Sequence, residues 1–227
     1  KQKFTRLAIG LVIFSGAASG NALHAQSVGA ALLSEKSVTI TSGTTTQPLT
    51  VGGDVLFGAR IDTGFDAGNV DEFRDGTRLT VAAESSVTVD KYVFNPATGS
   101  GEMSVRLAKG AMRFISGRIG SDNYEIRTPN AYLGIRGTSF VLSYTPADGT
   151  VVVVEEGVVE LTNLSGDGVD VAAGLASAVA ATNTAPTTPA PPAAAGAAAA
   201  IGVTPIFLQV VLKVQLPQRQ SNLKDLQ

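Results

Sequence analysis

Cysteine and tryptophan are absent from this 227-residue sequence, and its single histidine, His24, lies within the first 25 residues. Without cysteine no disulfide can staple the chain, so a hydrophobic core has to hold it together. A chain that loses its first 25 residues has neither imidazole nor thiolate. That excludes Ser-His-Asp and Cys-His catalysis and the usual zinc and copper ligand sets. Aromatic residues make up only 6% of the chain, which argues against an aromatic-lined cleft. Basic charge is also scarce. Beyond Lys1, Lys3 and Arg6, 14 basic residues face 19 acidic ones, dispersed along the chain. A nucleic-acid binder needs a basic stripe to neutralise phosphates, so that class is excluded as well.

The opening, "KQKFTRLAIGLVIFSGAASGNALHAQS", has a basic start, an apolar core from Leu7 to about Phe14, and small residues ending in "ALHA". This pattern predicts a secretory signal peptide over residues 1–25, cleaved after Ala25. The apolar core is shorter than the ~20 residues of a membrane span. A periplasmic or secreted protein of the bacterial envelope is therefore expected, with no stable membrane span after cleavage.

From Ser37 to Ala173 short runs rich in Val, Ile, Thr, Tyr and Phe alternate with Gly, Asp-Gly, Asn and Pro turn signals. In "GEMSVRLA", Met103, Val105 and Leu107 share one face, and Glu102, Ser104 and Arg106 the other. No helical apolar period lasts ten residues there. "VRLAKGAMRF" and "VVVEEGVVEL" both carry a central glycine, Gly110 and Gly157, and read as a repeated strand-turn-strand unit. The fold class is all-β: stacked short antiparallel strands, roll- or solenoid-like. After Gly174 the sequence turns to Ala, Pro and Thr, which predicts a disordered linker. Beyond it, Val210, Leu212, Val214 and Leu216 alternate as a short C-terminal strand would. The expected organisation is a signal at 1–25, an N-terminal strand segment at 26–52, a β domain at 53–174, a linker at 175–203 and a strand or docking tail at 204–227.

Few residues suggest chemistry. The acidic stretch Asp62 to Gly76 fails the calcium-loop spacing, because counted from Asp66 the ligand position 3 is Gly68. Glu155 and Glu156 are adjacent and would point to opposite faces of a strand, so they cannot flank one glycosidic bond. No metal or cofactor is expected, and no catalytic residue is assigned.

Five ordered blocks carry a resemblance: "GDVLFGARIDTG", "FRDGTRLTV", "RLAKGAMRFISG", "YEIRTPNAYLGIRGTSFVL" and "VVVVEEGVVEL". Together they resemble the FecR-domain family over about residues 53–174. The motif positions are Thr128, Pro129, Arg136, Gly137, Thr138 and Gly157. The resemblance implies a non-enzymatic binding or sensing module, similar to the periplasmic domain of regulators that relay a signal to a sigma factor. An envelope protein is the expected partner. The alternative is a structural or adhesive component holding cell-surface polymer. Physically, Pro129 should end a strand, and Gly134 and Gly137 should permit bulges or positive φ. Arg136 is open to two readings. It is either a largely buried arginine that fixes the turn through its five donors, which is preferred, or a ligand contact.

Overall fold

Residues 26–192 are described by the structure, a computed structural model. The expected signal peptide and the tail from 204 lie outside them. The strands are β1 (Ser27–Glu35), β2 (Val38–Ser42), β3 (Thr45–Pro48), β4 (Asp54–Leu56), β5 (Arg60–Thr63), β6 (Gly68–Phe73) and β7 (Arg78–Val81). They continue as β8 (Ser86–Phe94), β9 (Gly101–Ile115), β10 (Tyr124–Arg127), β11 (Ala131–Thr145), β12 (Gly149–Asn163), β13 (Gly168–Ala172) and β14 (Ala176–Val179). A single 3-10 turn, Ser121–Asn123, precedes β10. The protein is all-β, as its composition and alternation indicate.

Three strands are not short. β9, β11 and β12 each run 15 residues and bend at an internal glycine. The glycines are Gly110 (φ +89°), Gly137 (φ +59°) and Gly157 (φ +76°). The expected turns at Gly110 and Gly157 are therefore bends within continuous strands. Across each bend the inward alternation slips by one residue. Met103, Val105 and Leu107 point inward before Gly110, and Met112 and Phe114 after it. Such a slip sends the second half of a strand into a different sheet layer.

The pairings divide the sheet accordingly. One layer runs β3-β2-β5-β8, the first half of β9, β10, the first half of β11, the second half of β12, and β13. The other runs β4-β1-β6-β7, the second halves of β9 and β11, the first half of β12, and β14. Leu107, Ile126, Leu133 and Leu161 from the first layer and Leu79, Phe114, Phe140 and Leu142 from the second fill one core cluster. Phe114 meets Tyr124 across it edge-on, with ring centroids 5.6 Å apart. The architecture is a roll whose layers share three long strands. β10 pairs parallel with β9, the one parallel exception to the expected antiparallel pattern among the described residues.

Residues 26–52, expected as an N-terminal strand segment, carry β1, β2 and β3, and β1 lies between β6 and β4 in the second layer. The linker expected from 175 begins with ordered sheet. β14 pairs with β12, and Ala190 bridges back to Ala176. Ala, Ser and Val suit this edge because they fit against the small face of Val151 and Val153.

Candidate functional site

Asp75 is wholly buried in the turn between β6 and β7, and the fold is organised around it. Its Oδ2 accepts hydrogen bonds from the Tyr124 hydroxyl at 2.7 Å and the Thr77 hydroxyl at 2.5 Å. Its Oδ1 accepts from the Tyr92 hydroxyl at 3.1 Å and the Thr77 backbone N–H at 3.3 Å. The Gly117 N–H donates to both the Tyr124 and Thr77 oxygens, closing the node onto the end of β9. Burial and the neighbouring carboxylate push the Tyr124 hydroxyl up to about 12, and burial raises Tyr92 as well. Both tyrosines therefore remain donors at any physiological pH. Every lone-pair direction of Asp75 is spent inside the protein, so this carboxylate is a tie between layers and not a reactive group.

A second node sits at the Thr128–Pro129 turn. Pro129 is exposed and stands two residues beyond Arg127, the last residue of β10, where its missing N–H costs no ladder bond. Thr128 is buried; its hydroxyl meets that of Thr150 at 2.6 Å and accepts from the Ala131 N–H at 3.0 Å. Asn130 accepts from Thr150 through Oδ1 and donates through Nδ2 to the Val179 carbonyl at 2.8 Å. Thr128 thus links three strand ends, and Asn130 clamps β14 to the roll. Gly149 is needed beside this clamp, because a Cβ there would lie 2.2 Å from the Val179 oxygen.

The remaining acids are held by separate partners. Asp62 takes Arg60 at 2.7 Å, Asp66 takes Lys36 at 3.2 Å, and Glu72 takes Arg78 at 2.8 Å. Asp71 is fully buried with Asn69, whose Nδ2 donates to it at 2.7 Å. Burial holds the Asp71 carboxyl up at about 7, although the Asn69 bond pulls it down in part. Glu155 would be raised by burial. Hydrogen bonds from Arg113 (2.8 Å) and Ser139, with the Arg113 charge, instead carry it below its ordinary value. The acids of the 62–76 stretch point to different neighbours and form no cluster.

Arg136 differs from the expectation of burial. Its side chain is 60% exposed, and its one ion-pair contact is Glu160 at 4.0 Å. The reason is strand periodicity: Leu133 and Ile135 point into the core, so Tyr132, Gly134 and Arg136 point out. Gly137 and Gly157 build the corner beside it. A Cβ on Gly157 would come within 2.4 Å of the Gly137 oxygen and 2.7 Å of the Thr138 methyl. The β11–β12 register slips between Arg136 and Phe140, and Thr138 Oγ1 is buried there without a partner. Gly134 stays in regular strand; of the two expected special glycines, only Gly137 has positive φ.

The motif residues therefore divide. Thr128 and Gly157 serve the fold, and Arg136 presents an exposed guanidinium, 4.0 Å from Glu160, on the outer face of the nine-strand layer. That face also bears a shallow polar cleft of about 290 Å³ lined by Lys91, Ser104, Asp122, Asn123, Glu125 and Arg127, among others. The sequence reading missed the Asp75 node. Its one signal was that Tyr124 falls on the same face as the inward Ile126, where a hydroxyl needs a buried partner.

Residues 59–160 match the family described as FecR protein. No curated protein matches the chain. Two crystal structures of a candidate anti-sigma factor from Parabacteroides distasonis ATCC 8503, at 2.50 and 1.65 Å, are similar, each with 18% identity and a TM-score of 0.45. The alignment covers 56% of this chain and 57% of that one, so the chain spans little more than half of that protein's length.

Proposed function

Because residues 59–160 are a FecR-family domain, we propose that the protein is a non-enzymatic, exported binding or sensing module of the bacterial envelope. The FecR assignment supports a signalling-regulator type of domain. The basic, apolar and small-residue pattern of the first 25 residues supports export to the periplasm or beyond. The observation that carries the binding reading is the exposure of Arg136. A motif arginine that contributes no buried bond to its own fold is free to contribute one to a partner. Its planar fork suits a carboxylate, which points to an envelope protein presenting an acidic side chain or chain end.

The test compares wild-type protein with Arg136→Ala in capture from envelope extract. The reading expects one stoichiometric protein bound by wild type and lost from the variant, while the melting temperature is unchanged. Capture by both proteins alike would refute it. A structural or adhesive role is the second reading, and the side-chain row described next favours it.

A further inference from the structure

On the outer face of the nine-strand layer, the registers align one side chain per strand. Arg127 of β10 stands opposite Arg106 of β9 on one side and Tyr132 of β11 on the other. Arg106 stands opposite Thr88, and Thr88 opposite Arg60. The row continues to Thr41 at one end and Thr162 at the other. It crosses seven strands without a carboxylate or an aliphatic side chain. At about 4.8 Å per strand step, it is roughly 30 Å long.

Each arginine is half exposed and is held from one side by an acid outside the row. Asp62 binds Arg60 at 2.7 Å, Asp90 binds Arg106 at 2.8 Å, and Glu125 binds Arg127. These pairs fix the guanidinium planes and leave further N–H donors on every fork. They also neutralise the row, which rules out a polyphosphate as its ligand, since phosphate recognition needs uncompensated charge. What remains is a nearly neutral line of donors that follows the twist of the sheet. Tyr132 adds an aromatic ring, with the Arg127 guanidinium 5.5 Å from its centroid. The cleft lined by Ser104, Glu125 and Arg127 adjoins the row.

We propose that this row is a track for an extended, linear, neutral polysaccharide, read through its hydroxyl oxygens. The strand step is close to the length of one extended pyranose unit, so each sugar would meet one side chain. The donors match the oxygen-rich edge of such a chain, and Tyr132 offers a face on which a ring can stack. This surface adds to the exported module proposed above and shares none of the Arg136 contact.

The test titrates full-length protein with cellohexaose and with a mannuronate hexamer, following backbone amide shifts and Kd. Saturable binding of cellohexaose is expected, with shifts on β8, β9, β10 and β11 beside the row. Binding of the uronate alone would overturn the neutral-glycan track. Arg106→Ala with Arg127→Ala should weaken binding at least tenfold, and Arg136→Ala should not. If the double variant does not fold, Tyr132→Ala should give the same loss. The proposal is overturned if cellohexaose does not bind, if the shifts fall away from these strands, or if folded row variants bind as wild type does. Failure here with Arg136-dependent protein capture intact would leave the binding module standing and remove the track.

Discussion

Removing the Asp75 carboxylate should damage this fold more than any other single polar change. Four donors converge on it: the hydroxyls of Tyr124, Thr77 and Tyr92, and the Thr77 N–H. Hydrogen bonds to a charged group contribute about 1.5–3 kcal/mol each, and a stranded buried donor costs a similar amount. Water can re-solvate some of the four, so Asp75→Ala should destabilise by roughly 4–5 kcal/mol. Asp75→Asn retains one acceptor oxygen and should cost roughly 2–3 kcal/mol. At about 2–4 °C per kcal/mol for a domain of this size, the alanine variant should melt roughly 10–15 °C lower. Tyr92→Phe is the internal control. It removes the 3.1 Å bond to Asp75 Oδ1 and the 2.9 Å bond accepted from the Asp75 N–H, and should cost roughly 2 kcal/mol. Urea denaturation of the three variants measures all of this. A cycle combining Asp75→Asn with Tyr124→Phe should be clearly non-additive, because the pair shares its shortest tyrosine bond. An Asp75→Ala protein within 1 kcal/mol of the parent would refute the node.

Other consequences are equally direct. Gly157→Ala should destabilise by about 2–4 kcal/mol, from the contact with Gly137 and the positive φ, while Gly134→Ala, whose nearest neighbour is the flexible Glu160 at 3.6 Å, should be near neutral in thermal melts. Asp71 is raised in the fold relative to its ordinary value of 3.8, so its contribution is fully present below about pH 4 and lost as pH rises to about 7. Asp71→Asn should therefore flatten the pH dependence of stability over that window; a wild-type slope that persists in the variant would contradict the assignment. Asn130→Ala should release the Val179 carbonyl, and hydrogen exchange at residues 176–179 should accelerate more than at β9.

Much of the fold was legible because period two is a local property. Met103, Val105 and Leu107 assigned their strand without any knowledge of its neighbours. The bends were less visible, although they left a trace. In β9, β11 and β12 the inward set changes from odd to even positions, or the reverse, across the glycine: Leu133 and Ile135 give way to Phe140 and Leu142, and Val152 and Val154 to Val159 and Leu161. A turn would have needed residues to reverse the chain, and a phase slip of one needs only a bulge. The same rule would have placed Arg136 outside, opposite in sense to Ile135. The flanking glycines and apolar residues instead suggested burial. The Asp75 node was out of reach for a different reason. Its members lie up to 49 residues apart, and only the three-dimensional pairing of β7, β9 and β10 brings them together.

The central claim is that the motif residues divide into fold ties and an outward contact. The most direct measurement is equilibrium denaturation of Arg136→Ala beside Asp75→Asn, with partner capture assayed on the same samples. The account predicts that Arg136→Ala unfolds within about 0.5 kcal/mol of wild type, as an exposed substitution should, and loses its partner. Asp75→Asn should lose stability and still bind wherever it remains folded. An Arg136→Ala protein destabilised by several kcal/mol, or one that binds as wild type does, would contradict it.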